Sequence, residues 1–167
     1  FASAVNLGAA ATVAGGAGND TVQMTAAATL TDAGFLNASS VETLRLTGAS
    51  TITLGTNAAS AGIVNVITGN GATSITNSNG VTLNVNAAAL ANNTVLALVG
   101  SSVEVVTGLI GNITASALTG ALTVTTGNAT DNSIAIITGS AATSITASGA
   151  SEDGTVTATA LAQNTAL

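Results

Sequence analysis

The chain contains no cysteine, proline, histidine, tryptophan, tyrosine or lysine, and two phenylalanines are its only aromatic residues. Without cysteine there are no disulfides. Without cysteine and histidine the usual ligands for zinc, copper and haem are missing, and a serine or cysteine triad has no base. One base, Arg45, faces seven acids, for a net charge of −6. Nucleic-acid binding needs Lys and Arg to neutralise phosphates, so no nucleic-acid partner is expected. No apolar run reaches the ~18–20 residues of a membrane span, and no membrane insertion is expected. Nothing at Phe1 resembles an export leader with a basic segment and an apolar core. Missing cysteine does not by itself assign a compartment. No catalytic machinery is visible, and the chain is read as a non-enzyme.

The rest of the composition is rich in Ala, Thr, Gly, Asn, Ser, Val, Leu and Ile, with a mean hydropathy of +0.62. Short strand-like clusters recur about every ten residues: TVQM, VETLRL, TITL, IVNVI, TSIT, VTLNV, TVLAL, VEVV, ALTVT, SIAII, a second TSIT and TVTAT. Apolar and polar residues mostly alternate within them, as in Val81-Thr82-Leu83-Asn84-Val85, which marks a strand with one buried face. The alanine stretches 26–28 and 87–91 are long enough for one helical turn and no more. A longer period overlies this rhythm. VITGNGATSIT at 66–76 matches IITGSAATSIT at 136–146, and AAALANNTVL at 87–96 matches ATALAQNTAL at 158–167. The second copy stops inside the repeat, so the chain is expected to be a segment of a longer polypeptide.

Even, short strands with small-residue turns, nested in a larger repeat, predict an all-β fold, an elongated parallel β-solenoid in which stacked coils share a narrow core. A β-sandwich built of repeats is the alternative. The expected division is 1–50, containing a glycine-rich nonapeptide, and 51–167, containing β-strand repeats of about 70 residues.

That nonapeptide, GGAGNDTVQ at 15–23, fits the pattern G-G-x-G-x-D-x-U-x through Gly15, Gly16, Gly18, Asp20 and Val22. The glycines permit a tight turn that aims carbonyl oxygens inward, and Asp20 adds a carboxylate, a donor set suited to Ca²⁺. One copy supplies about half a coordination shell, so further ligands must come from a neighbouring turn or from Asp32. The competing reading is a glycine turn whose Asp20 caps backbone N–H groups. Asp131, Glu152 and Asp153 lie in turn-like segments, either solvated or as weak Ca²⁺ ligands. Glu42 and Glu104 share the contexts SSVETL and SSVEVV. No aromatic platform accompanies them, so polar strand positions or calcium ligands are expected rather than a glycosidase pair. Arg45 shares a face with Thr43, opposite Leu44 and Leu46.

GGAGNDTVQ followed by FLNASSVETLRLTG at 35–48 resembles the RTX-related bacterial surface proteins, among them calcium-dependent S-layer proteins and giant adhesins. The Thr/Ala/Gly-rich 70-residue repeats resemble the β-strand-repeat regions of such proteins. This resemblance implies secretion without a cleaved leader, calcium-assisted folding outside the cell, and a place at the bacterial cell surface. The expected partner is the chain itself, in a lattice, sheath or filament, with any cell-surface glycan anchor in flanking segments. An adhesin stalk is the second expectation. An ice-binding solenoid is the third, since Thr51/Thr53, Thr123/Thr125 and Thr155/Thr157 form Thr-x-Thr pairs, although these stand about 70 or 30 residues apart.

Overall fold

The computed structural model describes Leu7 and residues 12–128, 133–148, 153–163 and 165–167. The chain coils around two seven-stranded parallel sheets. Sheet one stacks β2 (Thr21–Gln23), β5 (Thr43–Arg45), β7 (Asn65–Ile67), β9 (Leu83–Asn86), β11 (Glu104–Leu109), β13 (Leu122–Thr126) and β15 (Thr143–Thr146). Sheet two stacks β3 (Ala28–Leu30), β6 (Ser50–Leu54), β8 (Thr73–Asn77), β10 (Val95–Gly100), β12 (Asn112–Leu118), β14 (Ser133–Ile137) and β16 (Asp153–Thr157). Successive strands alternate between the sheets, so each coil contributes one strand to each. This is the parallel β-solenoid; a sandwich of hairpins would need antiparallel pairs, and every described pairing is parallel.

The ten-residue rhythm is half a coil. All twelve clusters read from the sequence coincide with strands, and alternation places most of their apolar members inside, with Val81, Val95, Val103 and Val156 exposed. One column of sheet one runs Val22, Leu44, Val66, Val85, Val106, Val124 and Ile145, in register through every coil. Sheet two answers with Leu30, Ile52, Ile75 and Leu98. Three buried hydroxyls beside the core columns are satisfied locally: Ser50, Thr73 and Thr143 each donate to the carbonyl two residues earlier.

The early coils have a third, shorter side. β1 (Val13–Ala14) pairs with β4 (Ala38–Ser39), and helix α1 (Thr56–Ala61) stacks next, with Val41 N–H donating to Ala61 O. After Gly62 the coils return directly from sheet to sheet. Ala87–Ala91 forms a turn rather than helix, and Ala28 enters a strand.

The 70-residue repeat spans three and a half coils, which exchanges the two faces. Thr53 projects from sheet two, and its counterpart Thr123 lies on sheet one. Likewise β8 with its TSIT belongs to sheet two, whereas the second TSIT, β15, belongs to sheet one. Val66 fills the core from sheet one and its counterpart Ile136 from sheet two. Even Ala166, matching Val95 of sheet two, accepts a hydrogen bond from Thr143 N–H of sheet one.

Candidate calcium turn and the acid column

The nonapeptide forms the corner between the third side and sheet one. Gly16 and Gly18 adopt φ of 99° and 116°, a left-handed region that glycine enters without steric cost. A side chain at Gly15 would run into the Ser40 carbonyl of the next coil. The chain then turns into β2 through Asp20, whose carbonyl accepts the N–H of Thr43 at 3.0 Å.

Asp20 meets a second acid there. Its N–H donates to Glu42 Oε2 at 2.8 Å, across adjacent coils. Asp20 Oδ2 is enclosed and has no hydrogen-bond partner. An enclosed carboxylate oxygen beside a second carboxylate and a carbonyl-bearing glycine turn is a donor set that fits a hard cation. Among the described residues no three acidic side chains gather in one place, so a cation here would draw on two carboxylates and backbone carbonyls.

Asp32 is placed at a different corner, following β3 where the chain leaves sheet two. Its carboxylate accepts N–H bonds from Gly55 at 2.7 Å, Ala58 at 2.9 Å and Asn57 at 3.1 Å, which caps helix α1 from the preceding coil. Burial pushes its pKa up, but the backbone bonds from Ala58, Asn57 and Gly55, aided by the Asn57 side chain, outweigh burial and hold it below the usual value. Asp131 and Glu152 lie outside the described residues. Asp153 opens β16 opposite Ser133, with its side chain outside the described set.

The shared SSVE context has a structural meaning. Register links Asp20, Glu42, Val64, Leu83, Glu104, Leu122 and Thr143 into one column at the entrance to the sheet-one strands. Asp20 and Glu42 sit at the partly open corner. Glu104, 1% exposed, sits between Leu83 and Leu122 in the closed interior. Asn77 Nδ2 donates to its Oε1 at 3.0 Å, and its Oε2 has no partner. Burial, only partly offset by the Asn77 bond, pushes the Glu104 carboxyl up to about 8. The group is therefore a neutral acid at pH 7. Asn77 and its NSNG turn escape a reading of the sequence; a buried Asn ahead of an apolar strand resembles any solvated turn until the next coil is laid over it.

Arg45 stands exposed between Gln23 and Ile67 on the outer face of sheet one, with Leu44 and Leu46 buried on either side. Among the described side chains it is the only charge on either flat face: the outward column of sheet two reads Thr29, Thr51, Ser74, Ala97, Thr114, Ile137 and Thr157. Among the described residues no helix is long and apolar enough to cross a membrane. No protein-family model matches this chain, and no curated protein or solved structure matches it either.

Proposed function

We propose that this chain is a structural segment of an extracellular bacterial surface protein that assembles with copies of itself, with Ca²⁺ assisting. The observation that carries the reading is the distribution of charge. The acids whose side chains are described sit at corners or in the core, and apart from Arg45 the flat faces present mainly uncharged, mostly small side chains, Thr, Ser, Ala and Asn foremost. Such faces offer little long-range repulsion to side-by-side packing. Calcium enters at the Gly15–Asp20 corner, where it would draw Asp20 and Glu42 together and stiffen the early coils. The RTX-type resemblance of the nonapeptide points to the same setting, the cell exterior, where millimolar calcium suits sites of modest affinity.

The adhesin-stalk reading has its own support in the in-register stack, which can extend by adding coils without changing its cross-section. The two readings separate in one experiment. The chain is held in chelator, then given about 1–10 mM Ca²⁺, enough to fill extracellular-type sites of about 0.1–1 mM affinity, while light scattering and electron microscopy follow it. Sheets or filaments that dissolve on chelation, with Asp20→Asn requiring roughly tenfold more calcium, support the lattice. A chain that gains thermal stability with calcium yet stays monomeric supports the stalk, and one indifferent to calcium overturns both calcium-assisted readings.

A further inference from the structure

The two repeats diverge at one pair of residues with chemistry of its own. VITGNGATSIT at 66–76 and IITGSAATSIT at 136–146 differ by a Val-to-Ile exchange and by Asn70-Gly71, which stands where the second copy has Ser140-Ala141. Asn-Gly is a reactive pair. The backbone nitrogen after an asparagine can attack the side-chain carbonyl carbon, and glycine, lacking Cβ, hinders that approach least. The chain has two such pairs, Asn70-Gly71 and Asn79-Gly80, and the fold treats them differently. Asn70 is exposed at the corner between β7 and β8, with no hydrogen bond on its side-chain amide, and the Gly71 N–H donates to no acceptor. At the other pair, Gly80 N–H donates to Ser102 Oγ at 3.0 Å, and Asn79 Oδ1 accepts the N–H of Val81 at 2.8 Å. Asn79 Nδ2 is enclosed as well.

We propose that Asn70 is a site of spontaneous deamidation, through which the folded chain converts one neutral corner into an acidic one; the proposal does not depend on self-assembly. Gly71 N loses its proton to solvent hydroxide and bonds to Asn70 Cγ, closing a five-membered succinimide. The Cγ–Nδ2 bond breaks, and Nδ2 takes up a proton and leaves as ammonia. Water then opens the ring. Attack at Cγ gives aspartate, and attack at the backbone carbonyl gives isoaspartate, whose chain runs on through the side-chain carbon. In sum one water is consumed, one ammonia is released, and a carboxylate replaces an amide on a chain already at −6. Packing explains why the labile pair is there. A Cβ at Gly71 would come within 2.4 Å of Ala49 N in the coil beneath, so this corner needs glycine. The same packing makes the isomer costly. Isoaspartate adds one backbone atom where Gly71 presses on Ala49 and where Asn70 O accepts the Ala91 N–H of the next coil at 3.2 Å.

The test is to age the whole folded chain in warm, mildly alkaline buffer beside the same chain unfolded in urea. Peptides from a protease of broad specificity, read by mass and by electron-transfer fragmentation, locate the gain of about 1 Da and separate aspartate from isoaspartate. In urea the two Asn-Gly pairs should react at similar rates. In the folded chain Asn70 should keep most of its rate, whereas Asn79, with two hydrogen bonds to break first, should fall roughly tenfold behind. Ser102→Ala frees the Gly80 N–H and should bring Asn79 part of the way back. Asn70→Ser, the second copy's residue, should remove the fast site and leave Asn79 unchanged. Circular dichroism checks that each variant is folded; if Ser102→Ala unfolds, the folded and unfolded states of the unaltered chain decide alone. Hydrogen exchange at the Ala91 amide should quicken in the isoaspartate form. Folding that protects Asn70 as strongly as Asn79, or an Asn79 that reacts first in the folded chain, overturns the assignment.

Discussion

A single carboxyl shows how position in the stack sets chemistry. Glu42 and Glu104 arise from nearly identical sequence and occupy one column with a coil on each side, yet Glu42 is half-buried at an open corner and Glu104 is fully enclosed. Its folded pKa of about 8 lies above the ordinary 4.5. Between these values the folded state holds a proton that the unfolded chain has released, so stability is highest below about pH 4.5 and is lost as pH rises through about 8. At neutral pH the penalty is on the order of 3 kcal/mol. Glu104→Gln removes the titration and keeps an acceptor for Asn77. Thermal melts in chelator should show the Gln variant more stable at pH 8 by about 1–3 kcal/mol, with the gap closing by pH 5; parallel curves would show that the carboxyl is solvated. The sequence makes Glu42 and Glu104 equivalent and cannot show which is enclosed. Asp32 makes the same point in reverse: its closeness in sequence to Asp20 suggests a shared cation site, whereas the turn of the coil carries it to the cap of α1.

At the scale of the element, β-branched alternation is sufficient to find most strands and insufficient for the rest. β12 escapes it because its inward residues include Ala115, which carries little hydrophobic signal but packs at 0% exposure where coils run close. Helix α1, TNAASA, has no amphipathic period to read; it exists because Asp32 of the previous coil satisfies its first N–H groups. Corner glycines can serve through positive φ, as Gly16 and Gly18 do. Gly69 and Gly139, equivalent in the two repeats, serve differently: a side chain at either would strike the backbone of the coil beneath, Thr47 in one case and Leu118 in the other. Gly139→Ala is therefore expected to cost about 1–3 kcal/mol or more. Gly154→Ala, where the nearest atom is Ile134 O at 3.5 Å, should be neutral within about 0.5 kcal/mol. Urea titration of the two variants checks the contrast, and equal losses would place the requirement in backbone entropy.

For the whole molecule, each coil is buried by its two neighbours, so local stability should vary along the stack. Ile136 is 3% exposed, whereas Val156, next in the same column, is 45% exposed because nothing described covers it. Native-state hydrogen exchange in chelator should find amides of β8 to β11 protected most strongly and those of β15 and β16 at least tenfold less. Uniform protection would show that the coils open together as one unit. The sequence by itself determined the half-coil rhythm, the inward and outward residues, the 70-residue period and the glycine-aspartate corner, because each is written in spacing along the chain. Only the tertiary structure decided which coil lies over which residue. That placement buries Glu104, gives Asp32 its helix, and sets equivalent strands of the two repeats, such as β8 and β15, in opposite sheets. The physical reason is that stacking joins residues about twenty apart, and the remainder left when a 70-residue period is wound on such coils is a property of the winding.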